Sequence, residues 1–339
     1  MARVIRVKEV GRGEPQPLSQ RDVDALKASA LFVAEKAKEQ PGLWRVRLKP
    51  NMTRVGTVRV EHLHVRIDPK FPIRRVLFLL GYSTTRHAKI NWQDDLAGYT
   101  DAQSLVPAFA HLLWRRIDAA FAPGLLTGYV PHEMSSTVLR GRVRESSLLN
   151  RSRGLGYPLE VQHDELSPDI LENQVLKAAL ARMLTIGDLS DAARRGLLRQ
   201  LILLRGVSAW PLHQPVPNWR PSRFNGRYAE AYALASLVLS ERSAEHGEGT
   251  ILADGFLVDM KYLFEDFVRE AIGRELVTLG GGKYGHPTLY LDQNRTLKML
   301  PDLVWERGNK TAALADAKYM AERQSLSGSR EAIFQMVTY

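Results

Sequence analysis

The chain has no cysteine, which excludes disulfide cross-links, thiolate metal sites and cysteine nucleophiles. Long apolar runs are missing as well. The longest, such as Arg75-Val-Leu-Phe-Leu-Leu80, fall far short of the ~20 residues needed to cross a bilayer. Met1-Ala-Arg-Val-Ile-Arg6 holds no signal-peptide core, so a cytoplasmic protein without membrane attachment is expected. A phosphate loop is lacking: Gly280-Gly-Gly-Lys283 has neither the full spacing nor a following Ser or Thr. There is no internal repeat and no low-complexity tract.

What is present is a chain of 339 residues, long enough for two or three domains, with the composition of an ordinary globular protein. Lys and Arg number 47 against 37 Asp and Glu, a net charge of +10. That surplus favours polyanionic partners, because basic side chains displace counterions condensed on nucleic acid. A generally basic surface is the alternative. Part of the excess is clustered, in Arg140-Gly-Arg-Val-Arg144, Arg151-Ser-Arg153 and Arg194-Arg195.

Residues 1–85 alternate as strands do. Trp44–Lys49, Val55–Val60 and Leu63–Ile67 each place apolar groups on one face and basic groups on the other. Pro50-Asn51 and Glu61-His62 read as turns. His62 and His64 share a strand face, but no third ligand accompanies them, and surface histidines are the better reading. Further on, Leu105, Phe109, Leu112, Leu113 and Ile117 form a stripe at helical spacing. Tyr129 to Arg144 reads as extended and basic. Arg140, Arg142 and Arg144 are candidate contacts to phosphates or a protein partner, with a solvated basic strand as the alternative. Glu172–Leu184, Ala192–Leu204 and Tyr228–Leu239 follow as helices, with a proline-rich connector from Pro211 to Pro221. Gly247-Glu-Gly249 is the candidate linker to the last segment.

In that segment Phe256–Ile272 reads as a helix, apolar at 256, 260, 263, 264, 267, 268 and 271. Glu265 lies at the edge of this stripe, where a carboxylate can lean over an adjoining sheet; a solvated flank glutamate is the alternative. Two apolar runs then follow, Met299-Leu-Pro-Asp-Leu-Val-Trp305 and Ala313-Leu-Ala-Asp-Ala-Lys-Tyr319. Strand side chains alternate, so Asp316 and Lys318 are expected on one side. Pairing as a hairpin across Gly308-Asn309 brings Asp302 to that side too. Two carboxylates and one ammonium then converge at a sheet edge. Mg2+ takes oxygen ligands and keeps several waters, so two carboxylates and a DNA phosphate can hold it. It stabilises charge on the phosphorus oxygens and lowers the pKa of bound water, while a neighbouring lysine orients water or offsets charge. Pro301-Asp302 with Asp316-Ala-Lys318 resembles the PD-(D/E)xK nuclease core. The pattern is short, and a solvated strand end is its bland alternative. In Arg330–Tyr339, Gln335 and Tyr339 share a helix face.

Several segments carry a wider resemblance. They are Ile67-Asp-Pro-Lys70, Leu139-Arg-Gly-Arg142, Glu172-Asn-Gln-Val-Leu-Lys177, Asn225 to Tyr228 and Met260 to Val268 with Phe264-Glu265. Pro301-Asp302, Asp316-Ala-Lys-Tyr319 and Phe334-Gln-Met336 complete the set. In this order and spacing, over most of the chain, they resemble the McrC family, the nuclease subunit of modification-dependent (type IV) McrBC restriction systems. The resemblance implies an α+β multidomain protein. Residues 1–85 would be a β-rich N-terminal domain that engages a hexameric AAA+ GTPase, McrB, and stimulates its hydrolysis. Residues 86–249 would be a mainly helical middle region. Residues 250–339 would be a PD-(D/E)xK nuclease domain, an α/β fold with a mixed sheet, cutting double-stranded DNA as an endonuclease after GTP-driven translocation. By the same resemblance Glu265, Asp302 and Asp316 would be Mg2+ ligands and Lys318 the catalytic lysine. Gln335 and Tyr339 would position substrate or water, and GTP would be held by the partner.

Family members usually continue beyond the Gln-x-x-x-Tyr helix with at least one more strand, whereas this chain stops at Tyr339. A nuclease domain truncated after that helix is the expectation. Ala332 and Met320 stand where acidic and basic residues are common in the family, which bears on DNA handling more than on the metal site. Two other functions remain open, a non-cleaving regulatory adaptor of the AAA+ ring and a stand-alone exonuclease-like repair nuclease.

Overall fold

The computed structural model of the chain describes residues 3–11, 13–84, 104–136, 142–143, 159–187, 189–212, 214–240, 254–308 and 310–319. From the N-terminus run β1 (Arg3–Lys8), β2 (Gln16–Pro17), α1 (Gln20–Ala28), β3 (Phe32–Lys36), β4 (Leu43–Leu48), β5 (Arg54–Val60) and β6 (Leu63–Asp68). Helices α2 (Ile73–Thr84) and α3 (Leu105–Phe121) follow, then β7 (Gly128–Ser136), β8 (Arg142–Val143) and β9 (Leu159–Ser167). Next come α4 (Leu171–Thr185), α5 (Asp191–Leu203) and α6 (Ala229–Ser240). The last described elements are β10 (Asp254–Asp259), α7 (Met260–Gly280), β11 (Lys283–Gly285), β12 (Leu289–Tyr290), β13 (Lys298–Met299), β14 (Leu303–Arg307) and β15 (Lys310–Ala315). The protein is mixed α/β, with several small sheets. Residues 1–112, 186–190 and 241–339 form one compact unit, and residues 113–185 and 191–240 a second.

The first unit is built on a four-stranded sheet in the order β1-β6-β5-β10. The alternation expected for residues 1–85 is what forms it: Ile5, Val7, Val58, Val60, Leu63, Val65 and Ile67 are buried together with Val23 and Leu26 of α1. Burying each such side chain contributes roughly 1.5–3 kcal/mol. The turns at Asn51 and Glu61 have φ of 66° and 51°, as tight reversals require. His62 is not a metal ligand candidate here. Its Nε2 lies 2.7 Å from Asp22 Oδ1, and Asp22 also takes Arg3 Nη1 at 2.9 Å and completes a capping box with Ser19.

The fourth strand, β10, corrects the sequence reading. Phe256–Asp259 was expected to open a helix, yet it pairs antiparallel with β5, Leu257 opposite Gly56. The backbones pass so closely that a Cβ on Gly56 would lie 2.1 Å from the Phe256 carbonyl oxygen, and Gly56 has φ of +128°. The helix begins only at Met260, because Asp259 accepts the Lys261 N–H at 3.1 Å and caps it.

β1 and β6 run parallel, and β5 runs antiparallel to both β6 and β10. The C-terminal ends of β1, β6 and β10 and the N-terminal end of β5 therefore gather on one rim of the sheet, which carries Glu9, Lys70, Asp259 and Thr53. Thr53 ties the rim together, its Oγ1 donating to Asp259 Oδ1 at 2.8 Å and its carbonyl accepting Met260 N–H at 2.7 Å.

From this rim α7 leads to an antiparallel sheet in the order β11-β14-β15. The hairpin expected across Gly308 forms, with Leu303 opposite Ala315 and a bulge between Trp305 and Glu306. The Gly280-Gly-Gly-Lys283 stretch ends α7: Gly281 N–H donates to Val277 O at 2.8 Å, and Trp305 Nε1 donates to Gly281 O at 3.0 Å.

In the second unit α4, α5 and α6 occupy the stretches expected to be helical. The Glu172-Asn-Gln motif proves to be a set of tethers. Glu172 Oε1 accepts Trp219 Nε1 at 2.9 Å and Asn225 Nδ2 at 3.1 Å. Asn173, fully buried, donates to the carbonyls of Leu126 at 2.8 Å and Pro168 at 2.7 Å. β7 and β9 form a long antiparallel pair, and Arg142 lies in β8 opposite Gln162.

Candidate active site

Asp302 follows the buried Pro301 and enters β14, and the register of the hairpin carries it opposite Asp316. The strand expected to hold Asp316 and Lys318 stops at Ala315. Asp302 is the reason: its Oδ2 accepts the Ala317 N–H at 2.7 Å, so a side chain replaces the next ladder bond. Lys318 Nζ lies 2.6 Å from Asp316 Oδ2. Glu265, five residues into α7, turns toward this pair with its side chain only 13% exposed, and Lys261 Nζ lies 3.8 Å away.

Charge couples these groups. Burial raises the Asp302 carboxyl above the usual range, and the Asp316 carboxylate and a hydrogen bond shared with it raise it further, against the Ala317 amide and Lys318. Burial likewise raises Glu265, assisted by the charges of Asp302 and Asp316 and opposed by Lys261 and Lys318. Glu265 and Asp302, both held above the ordinary carboxylate range beside Asp316, mark a site short of positive charge. Among the described residues no three ligand-type side chains close around a common point. The donor set nevertheless fits a hard divalent cation, since it offers only carboxylate oxygens and an excess of negative charge.

Of the residues singled out in the sequence, Glu265, Asp302, Asp316 and Lys318 come together. Gln335, Tyr339, Arg140 and Arg144 lie outside the described residues, as does the side chain of Arg142.

A second cluster adjoins the first. Tyr319 follows Lys318, and its hydroxyl donates to Glu9 Oε1 at 2.7 Å. The other Glu9 oxygen accepts Lys70 N–H at 3.0 Å, and Lys70 Nζ sits 3.4 Å from the Tyr319 ring centre. Burial raises the Glu9 and Tyr319 groups and lowers the Lys70 ammonium. The edge of the ring meets Phe71, and Phe264, next to Glu265, packs against it at 5.9 Å. Sequence reasoning gave Glu9 no role. An acid directly after the apolar alternation of β1 was the available signal.

Fold and site together define a mixed α/β protein with a carboxylate–lysine cluster beside a sheet rim. Residues 51–339 match the family described as McrBC 5-methylcytosine restriction system component, and the chain belongs to that family. No curated protein sequence matches it significantly. Among solved structures it is similar to a chain of the half-complex from a tetradecameric assembly of Thermococcus gammatolerans McrB AAA+ hexamers with bound McrC. That similarity has 19% identity and a TM-score of 0.59, over 98% of this chain and 84% of the other. A second similarity, to the Thermococcus gammatolerans McrBC complex, has 19% identity and a TM-score of 0.52, over 80% and 88%. At such identity the likeness is one of fold. No helix among the described residues is long and apolar enough to cross a membrane.

Proposed function

We propose that this chain is the Mg2+-dependent DNA endonuclease subunit of a modification-dependent restriction complex in the cytoplasm. It works with a hexameric McrB-like AAA+ GTPase that holds the GTP and moves the DNA. The observation that carries this reading is the gathering of Glu265, Asp302, Asp316 and Lys318 beside one rim. Membership of the McrBC family supports it, as does a fold shared with a protein assembled with McrB hexamers. The net charge of +10 suits a DNA substrate.

Glu265, Asp302 and Asp316 would hold the ion. Bound there, Mg2+ supplies charge stabilisation at phosphorus and acidifies water. Lys318, on the Asp316 carboxylate, places an ammonium where negative charge grows during attack on the phosphodiester. The half-buried setting of Glu265 and Asp302 keeps bulk water from screening these charges. Gln335 and Tyr339 are proposed to position substrate or water, and Arg140, Arg142 and Arg144 to contact phosphates or the partner ring. The C-terminal segment is proposed to complete a PD-(D/E)xK domain.

The test is cleavage of a plasmid containing 5-methylcytosine by the chain with its GTPase partner, GTP and Mg2+. Asp316→Ala should abolish cutting and leave stimulation of GTP hydrolysis unchanged. Wild-type chain that stimulates the GTPase yet never cuts would overturn the nuclease reading.

A further inference from the structure

The segment that carries Lys318 is held in an unusual way. Beyond Ala315 the strand ladder has ended, so the path of residues 316–319 is not set by sheet pairing. Two anchors bracket the lysine. On one side the Ala317 N–H is bound by Asp302, and on the other the Tyr319 hydroxyl is bound by Glu9. Glu9 is itself rigidly placed. It is 6% exposed, its N–H donates to Asp68 O at 2.9 Å, and its second oxygen takes Lys70 N–H. The Tyr319 ring is packed under Lys70 and against Phe71 and Phe264, so its hydroxyl reaches the rim from a fixed direction.

We infer that Glu9 and Tyr319 are positioning residues for Lys318: the rim of the N-terminal sheet grips Tyr319 and so fixes where the neighbouring ammonium points. Through Phe264 the same ring also steadies the turn of α7 that bears Glu265. This rests on the proposed DNA cleavage, which gives Lys318 its task. Glu9 and Tyr319 touch neither substrate nor ion. They act by limiting the directions open to Lys318, and a displacement of about 1 Å in such a group can cost ~100-fold in rate.

The test uses the full chain with Tyr319→Phe, which removes only the hydroxyl, and Glu9→Gln, which keeps shape but removes the charge. The first readout is independent of catalysis: the rate at which Lys318 is acylated by an amine-selective reagent, followed by peptide mass spectrometry with Lys310 as internal reference. Both variants should raise the Lys318 rate severalfold and leave Lys310 unchanged. The second is single-turnover plasmid cleavage with the GTPase partner, which should fall ~10- to ~100-fold at an unchanged thermal midpoint and unchanged GTPase stimulation. Unaltered Lys318 labelling overturns the inference, as does a loss of cutting that only follows a loss of folding. A wild-type chain that does not cut strikes the nuclease reading instead, and the labelling still decides the positioning.

Discussion

Asp302→Asn isolates the electrostatic character of the site. The asparagine carbonyl can still accept the Ala317 N–H, and its amide can donate to Asp316, so both hydrogen bonds of the native side chain persist. What disappears is one of three mutually repelling charges. Without metal at pH 7.5 the variant should therefore be more stable than the wild type, by about 1 kcal/mol. In a protein of this size that is a rise of ~2 °C in melting temperature. Mg2+ should reverse the order. At tenfold excess over its Kd the ion stabilises the wild type by about 1.4 kcal/mol, and Asp302→Asn should lose most of that gain together with cutting. The pH profile follows from the same charges. Folded Asp302 and Glu265 keep their protons to higher pH than the unfolded chain does. Between the ordinary carboxylate range and their raised values the folded state binds more protons, so metal-free stability falls as pH rises through that window. In Asp302→Asn the fall should be shallower. Differential scanning fluorimetry from pH 4 to 8, with and without Mg2+, reads all of this. A variant less stable than wild type without metal, or one equally stabilised by Mg2+, would refute the reasoning.

Other perturbations probe the parts separately. Lys318→Ala should slow single-turnover cleavage on the order of 10²-fold, the usual cost of one electrostatic donor, and near-native cutting would make the lysine structural. Gly56→Ala forces a Cβ to within 2.1 Å of the Phe256 carbonyl at a left-handed backbone position. It should cost ~3 kcal/mol or more in urea titration, and an unchanged midpoint would mean that β5 and β10 do not pair as described. Asn173→Ala removes a fully buried amide that donates to the half-buried carbonyls of Leu126 and Pro168, of which, among the described residues, only the second keeps another donor, the Ile170 N–H at 2.9 Å. A loss of about 2–3 kcal/mol is expected, and a neutral effect by the same titration would count against those bonds.

How much of this could be read from residues alone depended on distance along the chain. The strands through Trp44, Val58 and Val65 follow from local alternation. The helical stripe from Leu105 to Ile117 is buried at every position named for it. The 303–315 hairpin was legible because its pairing is local and Gly308 marks its turn. Phe256–Asp259 was misread because Phe256 and Met260 also stand one helical turn apart, and nothing nearby announces a partner strand at Arg54–Val60. Asp259 was the overlooked signal, an acid placed as a helix cap. Asp302, Asp316 and Lys318 stood out as a motif. That Asp302 would end the strand by taking the Ala317 amide is a matter of three-dimensional reach. Glu9 was silent for the same reason, since 310 residues separate it from Tyr319.

The rim formed by the four strand ends has a temporal meaning too. Thr53 leaves the ribosome 206 residues before Asp259, its partner. At 5–20 residues per second that wait lasts roughly 10–40 s, with β5 offered as an open edge to chaperones or to misfolding. The acids and the lysine are synthesised later still, onto a platform already waiting for them. A half-made polypeptide thus carries the foundation without the carboxylate–lysine cluster that comes to rest beside it.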